Sequence, residues 1–157
     1  MSEVEDNDNA GIIAHPPIFY IISVIAALVI DYFVPLDMGE SPILKIVSVL
    51  MAVLGIGIFI SAGKMYRTDK QNVSVHTKTD NIYQSGIYSR TRNPLYLGAL
   101  IVVIAGGIYF GEPWILILQI PLVFFLNKQV IGKEEEYLER KFGAEYIEYK
   151  KKVRRWI

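Results

Sequence analysis

The chain has 157 residues, 52% of them hydrophobic, no cysteine, and no net charge. That length suits one domain, and the missing cysteines exclude disulfides, thiolate metal sites and cysteine nucleophiles. Neutrality with cations confined to separate blocks speaks against a nucleic-acid binder, and His15 and His76 lack metal-ligand spacing, so neither nucleic acid nor a metal is expected as a partner.

Residues 1–14 open with MSEVEDNDNAG, which is acidic and lacks the basic start of a cleavable signal peptide. They read as a short disordered tail before a single membrane domain over 15–157. Four apolar runs follow: IFYIISVIAALVIDYFVPL from 18 to 36, ILKIVSVLMAVLGIGIFISAG from 43 to 63, then 94–111 and 113–132. Each is near the roughly 20 residues that an α-helix needs to cross a bilayer core of about 30 Å. The runs are apolar all round, unlike the one-sided helix of a soluble domain. The expected fold is therefore all-α, a multi-pass bundle of four transmembrane helices.

All but one of the 16 Lys and Arg fall within 64–92 and 128–155, the exception being Lys45. Positive charge resists translocation, so both basic segments belong on the cytoplasmic side of a cell membrane, and an even number of spans puts both termini there. The short links at 37–41 and 111–113 then face outward.

Three features within the spans bear on the site. Asp31 reads either as an intramembrane charge or as an interfacial residue beside Tyr32 and Pro35, with the second reading favoured. Gly55 and Gly57 allow close helix packing or close approach of a ligand, packing being the favoured reading. Pro121 predicts a mild kink. Beyond the fourth span, Leu138, Phe142, Tyr146, Tyr149 and Val153 recur every three or four residues. They predict an amphipathic cytoplasmic C-terminal helix over 133–153, which Gly143 weakens or breaks.

The segment GIYSRTRNPLYLG, 86–98, joins a charged turn to an apolar helix without a spacer. Pro94 suits a first helical turn, and the residue before it, Asn93, is held out of the helical region. The start of this helix turns unbonded N–H groups and partial positive charge toward the cytoplasmic mouth, where a carboxylate would be welcome. Glu134, Glu135 and Glu136 follow the fourth run. At about 100° apart they cannot share one face, so at least one carboxylate is free to turn into the same mouth.

The pairing of G-x-Y-x-x-x-R-[HN]-P-x-Y-x-G, met by Gly86, Tyr88, Arg92, Asn93, Pro94, Tyr96 and Gly98, with E-E-x-x-L-x-x-x-F-G-x-x-Y, met by Glu134, Glu135, Leu138, Phe142, Gly143 and Tyr146, resembles the isoprenylcysteine carboxyl methyltransferase family. It is also similar to the wider group that includes phospholipid N-methyltransferases. The resemblance covers about 43–157 and implies an integral membrane enzyme using S-adenosylmethionine (AdoMet). By that resemblance Tyr88, Asn93, Pro94, Leu95, Tyr96 and Glu134 are cofactor-binding, and Asp80, Asn81, Ile82 and Tyr83 line the adenosine pocket. Many relatives have histidine where Asn93 stands, and an arginine that contacts substrate in the eukaryotic protein methyltransferases corresponds to Val130.

The residue chemistry is compatible. Tyrosine rings face a sulfonium cation, a glutamate accepts from an amine or ribose, and an asparagine bonds to adenine. Methyl transfer to a lipophilic or small acceptor (carboxylate, thiol or amine) is an in-line displacement that needs positioning above all. The general base, if one exists, is unknown from sequence. The alternative is a non-catalytic membrane adaptor that binds anionic lipid or a protein partner through its basic face.

Overall fold

A computed structural model describes residues 16–39, 41–68 and 81–157. The acidic start, His15, His76 and Asp80 lie outside the described residues. Among the described residues the secondary structure is helical, with no strand. The helices are α1 (Pro16–Phe33), α2 (Pro42–Thr68), α3 (Pro94–Phe110), α4 (Pro113–Leu126), α5 (Gly132–Phe142) and α6 (Ala144–Lys152). A 3-10 turn, Gly86–Ser89, precedes α3, and a π-helical turn, Asn127–Ile131, joins α4 to α5.

Proline opens α1, α2, α3 and α4, where its missing N–H costs nothing. By length and composition two helices can cross a bilayer: Pro42–Met65, and the continuous helix Pro113–Phe142 formed by α4, the π-helical turn and α5. The second, at 30 residues, is about 45 Å long against an apolar core of about 30 Å. Roughly a third must project, and the charged α5, KEEEYLERKF after its first glycine, is the part that does. Pro17–Phe33 and Pro94–Phe110 are apolar but shorter.

α3 packs against α2, α4 and α1, and α1 also packs against α4. The α2–α3 contact is backbone on backbone. A Cβ on Gly98 would lie 2.8 Å from the Gly55 carbonyl oxygen, and one on Gly55 2.9 Å from the Gly98 oxygen. Gly55 is thus a packing glycine, whereas a Cβ on Gly57 would meet nothing within 4 Å. Between α1 and α4, buried Gln119 donates to Ser23 Oγ (3.3 Å) and to the Ile115 carbonyl (2.9 Å), while its Oε1 has no partner among the described residues.

The starts of α1 and α3 and the end of α4 meet at one end of the bundle, where Tyr20, Tyr96, Leu126, Val130 and Ile131 form a buried cluster. The Tyr20 hydroxyl donates to the Tyr96 carbonyl (3.0 Å). At the opposite end lie the two short links. There Asp31 Oδ1 accepts from the Leu36 N–H (3.0 Å), so its carboxylate closes the exit of α1, in keeping with an interfacial position. Tyr32, Phe33 and Phe110 are exposed at this end, and Trp114 donates to the Val34 carbonyl (2.8 Å). Such an aromatic belt marks a membrane–water boundary.

The expected single helix over 133–153 is two helices. Gly143, at φ +55°, breaks it, because a left-handed backbone suits glycine and halts the helical ladder. The predicted stripe still forms one surface: Tyr146, Tyr149 and Val153 pack together with Leu138, Phe142 and Ile82. The break lets α6 fold back over the segment that leads into α3.

Candidate functional site

The site is assembled at the α3-start end from three pieces: the 81–96 segment, α5, and the segment 153–156 that follows α6. Thr91, Asn93, Pro94 and Tyr96 are buried, Leu95 is partly so, and Asn93 has φ −127° and ψ 55°, outside the helical region as the following proline requires.

The expected meeting of the two motifs is present. Tyr96 Oη donates to Glu134 Oε2 at 3.2 Å. The three successive glutamates diverge as a helix dictates. Glu134 turns to Tyr96, Glu135 turns to a pair of arginines, and Glu136 is exposed. The π-helical turn sets this aim. Its additional residue rotates the following helix by about 100° relative to an uninterrupted one.

Glu135 is almost fully buried and is gripped from two sides. Arg92 reaches its Oε1 at 2.6 Å, and Arg155 reaches both oxygens, at 3.1 and 2.6 Å. Burial alone would raise the Glu135 carboxyl, but hydrogen bonds from Arg155 and Arg92, with their charges, hold it below its ordinary range. Glu134 is the opposite case. Burial pushes its carboxyl up to about 7, the Tyr96 hydroxyl opposes that, and Glu135 adds to it. Both residues sit on α5, past the apolar stretch. Two neighbouring carboxylates thus have different states near neutral pH, one a fixed anion and one poised to titrate.

Tyr88 is buried, its ring centroid 5.7 Å from that of Tyr83, and its carbonyl accepts from Tyr149 Oη (2.7 Å). Ile82 lies under α6, and Gln84 donates to Glu145 Oε1 (3.2 Å). Tyr83, Tyr88, Asn93, Pro94, Leu95, Tyr96 and Glu134 are therefore placed around one end of the bundle, with exposed Asn81 just upstream. Val130 is a buried member of the apolar cluster. Its side chain packs and does not offer the polar contact an arginine would make.

Sequence reasoning missed Asn127, Arg155 and Trp156. Asn127 Oδ1 accepts from Trp156 Nε1 (3.0 Å) and Arg155 Nη1 (3.4 Å). Asn127 opens the short polar stretch Asn127-Lys128-Gln129 that ends the apolar part of the fourth run, and nothing in that pattern singles it out. Among the described residues no group of His, Asp and Glu could hold a metal.

Comparison with known proteins follows the same lines. The phospholipid methyltransferase family profile matches residues 43–145, more than half of the chain. An uncharacterized protein of Haemophilus influenzae is 40% identical over 63 residues, 40% of this chain and 100% of that one. The protein-S-isoprenylcysteine O-methyltransferase of Saccharomyces cerevisiae is 36% identical over 93 residues, 59% of this chain but 36% of that enzyme. The chain thus spans little more than a third of the yeast enzyme's length. No solved structure matches significantly. The matched region carries the first motif, all of the second but its final Tyr146, and the apolar helices α2, α3 and α4, and on that match the chain belongs to the phospholipid methyltransferase family, the group of membrane methyltransferases that also holds the isoprenylcysteine carboxyl methyltransferases.

Proposed function

We propose that this protein is a four-span integral membrane enzyme that takes a methyl group from AdoMet and passes it to a lipophilic or small acceptor bearing a carboxylate, thiol or amine. The single observation that carries the reading is the Tyr96–Glu134 hydrogen bond of 3.2 Å, which joins two motifs 38 residues apart at one rim of the bundle.

The residues there fit the cofactor's chemistry. AdoMet supplies an activated methyl on a sulfonium, with an ammonium, a carboxylate and an adenosine as handles. Glu134 gives a carboxylate for the ammonium or ribose. Tyr88 and Tyr96 give ring faces for a cation. The first turn of α3, just after Pro94, offers the Leu95 N–H and the positive end of the helix to the carboxylate. Asn93 gives an amide for adenine, and the family resemblance assigns Asp80, Asn81, Ile82 and Tyr83 to the adenosine pocket. No covalent intermediate with the protein is required. Holding donor and acceptor in line, away from water, can supply about 7–11 kcal/mol of the barrier. The junction at Pro94 separates a polar half, which receives the cofactor from the cytoplasm, from an apolar half that admits the acceptor and surrounding lipid sideways from the bilayer.

Isothermal titration of the detergent-purified chain with S-adenosylhomocysteine, the demethylated product, tests this. Saturable binding is expected. No heat at millimolar ligand overturns the reading.

A further inference from the structure

The segment 153–156 is bound to the cofactor loop by its backbone rather than lying loose beside it. The Arg92 N–H donates to the Arg154 carbonyl (3.0 Å). The Arg155 carbonyl accepts from both Thr91 Oγ1 (3.0 Å) and Asn93 Nδ2 (3.2 Å). The Val153 carbonyl accepts from the Arg92 guanidinium. Side chains complete the strap. Arg155 holds Glu135 with two bonds, and Trp156 donates to Asn127 Oδ1 (3.0 Å) while packing on the Tyr20–Tyr96 cluster. The segment therefore touches the cofactor loop, α5 and the π-helical turn at once.

One contact has a chemical consequence. A backbone carbonyl only accepts, so the limb of the Asn93 amide that faces Arg155 must be the NH2. That turns Oδ1, an acceptor, away from the strap. An Asn93 amide free to flip would offer a ligand either end; an Asn93 held by the strap has one N–H committed to the Arg155 carbonyl and its oxygen turned to the other side.

We propose that the 153–156 strap is a working wall of the cofactor site, with Arg155 as its positioning residue. Seated, the strap holds the 91–93 loop in its binding shape and makes Asn93 an acceptor that reads the 6-amino group of adenine. This rests on the AdoMet reading above. The strap is seated by the grip of Arg92 and Arg155 on one buried carboxylate, Glu135: Arg92 holds Oε1, and the planar fork of Arg155 spans both oxygens.

The test uses the full-length purified chain as wild type, Arg155→Ala, the milder Arg155→Lys, and Lys152→Ala as a surface control. Titration with S-adenosylhomocysteine and with S-inosylhomocysteine, in which a carbonyl oxygen replaces the 6-amino group, gives two affinities for each. Wild type and Lys152→Ala are expected to favour the adenosyl ligand at least tenfold. Arg155→Ala should bind it at least tenfold more weakly, and the preference between the two ligands should fall below threefold. That ratio would not move if Arg155 merely supported the fold. Arg155→Lys, which keeps the charge without the fork, should fall between, and decides the matter if the alanine variant does not fold. Wild-type affinity in both Arg155 variants, or equal binding of the two ligands by wild type, overturns the proposal. Hydrogen exchange at the 86–93 amides, read on the same samples without ligand, separates the two layers of argument. If wild type binds neither ligand, the AdoMet reading falls. The strap is then judged by exchange alone, which must quicken at least tenfold over 86–93 in the Arg155 variants and is otherwise refuted.

Discussion

At the residue scale, Glu134 and Glu135 are adjacent in sequence and opposite in role. Glu135 is bonded by two arginines, one of which, Arg92, has a side chain only 8% exposed. Removing the carboxylate strands a buried guanidinium, a loss of about 3–5 kcal/mol. Glu135→Ala should therefore lower the unfolding midpoint in detergent sharply, whereas Glu134→Gln should leave it nearly unchanged. Glu134→Gln should instead weaken S-adenosylhomocysteine binding about tenfold or more, since a hydrogen bond to a charged group contributes about 1.5–3 kcal/mol. The reverse pattern would assign the two roles wrongly. The pairing of Tyr96 with Glu134 was legible in the sequence because each belongs to a motif. The role of Arg155 was not. Its carbonyl meets Thr91 across 64 residues of chain, and nothing in local pattern or propensity reports such a contact.

The raised Glu134 carboxyl adds a pH dependence with a definite sign. Its folded value, about 7, lies above the ordinary value of 4.5. The neutral form is thus the one the empty site favours. Its contribution to stability is complete below the ordinary value and is lost as pH rises through about 7. A ligand that brings an ammonium or sulfonium to Glu134 favours the anion, so binding near pH 6 should expel a proton and tighten as pH rises toward 8. Titration at pH 6 in two buffers of different ionisation enthalpy reads the proton directly. Heats that agree in both buffers would refute a role for Glu134 opposite a cation.

At the scale of elements, the uninterrupted apolar runs gave α1 and α3 to within three residues, while α2 continues five residues past its expected end and α4 gives way to the π-helical turn at Asn127, because an apolar run marks lipid or core contact and not where the helical ladder stops. Two features escaped that pattern. The π-helical turn at Asn127–Ile131 has no sequence rule of comparable strength, yet it aims both glutamates. The break at Gly143 was visible as a weak point, but the fold-back of α6 depends on what it packs against, Ile82 and Tyr88. The glycine pair between α2 and α3 makes a separate prediction. At Gly98 a methyl would meet the Gly55 carbonyl at 2.8 Å and the Phe59 nitrogen at 3.0 Å, both backbone atoms that cannot step aside. Gly98→Ala should destabilise by about 1–3 kcal/mol, the range for overpacking. Gly57→Ala, with nothing within 4 Å, should be neutral or slightly stabilising. Unfolding midpoints of the two variants in one detergent check the ordering, and equal midpoints would contradict the close approach.

At the scale of the whole molecule, the bundle has two different ends and an apolar waist. Ile21, Ile22 and Ile25 on α1, and Leu50, Val53 and Leu54 on α2, are all at least 56% exposed. A continuous surface of that kind is stable only against lipid or another apolar partner. The end with the short links carries the aromatic belt, and the other carries the arginines, the glutamates and the strap. If all four helices cross, the 17- and 18-residue helices, about 26 and 27 Å long, fall slightly short of the bilayer core and demand local thinning or interfacial anchoring. The exposed aromatics at the link end are suited to that anchoring. The positive-inside rule makes the direction a prediction: the basic end should stay in the cytoplasm and the links should face out. Because the chain has no cysteine, one introduced thiol reports one position without background. Met38→Cys, in the exposed α1–α2 link, should react with a membrane-impermeant maleimide on intact cells. Lys151→Cys, on the exposed face of α6, should react only after permeabilisation. Labelling of both from outside would mean that a helix pair fails to cross, and labelling of Lys151→Cys alone would invert the molecule. Either result would remove the cytoplasmic route proposed for AdoMet to Tyr96 and Glu134.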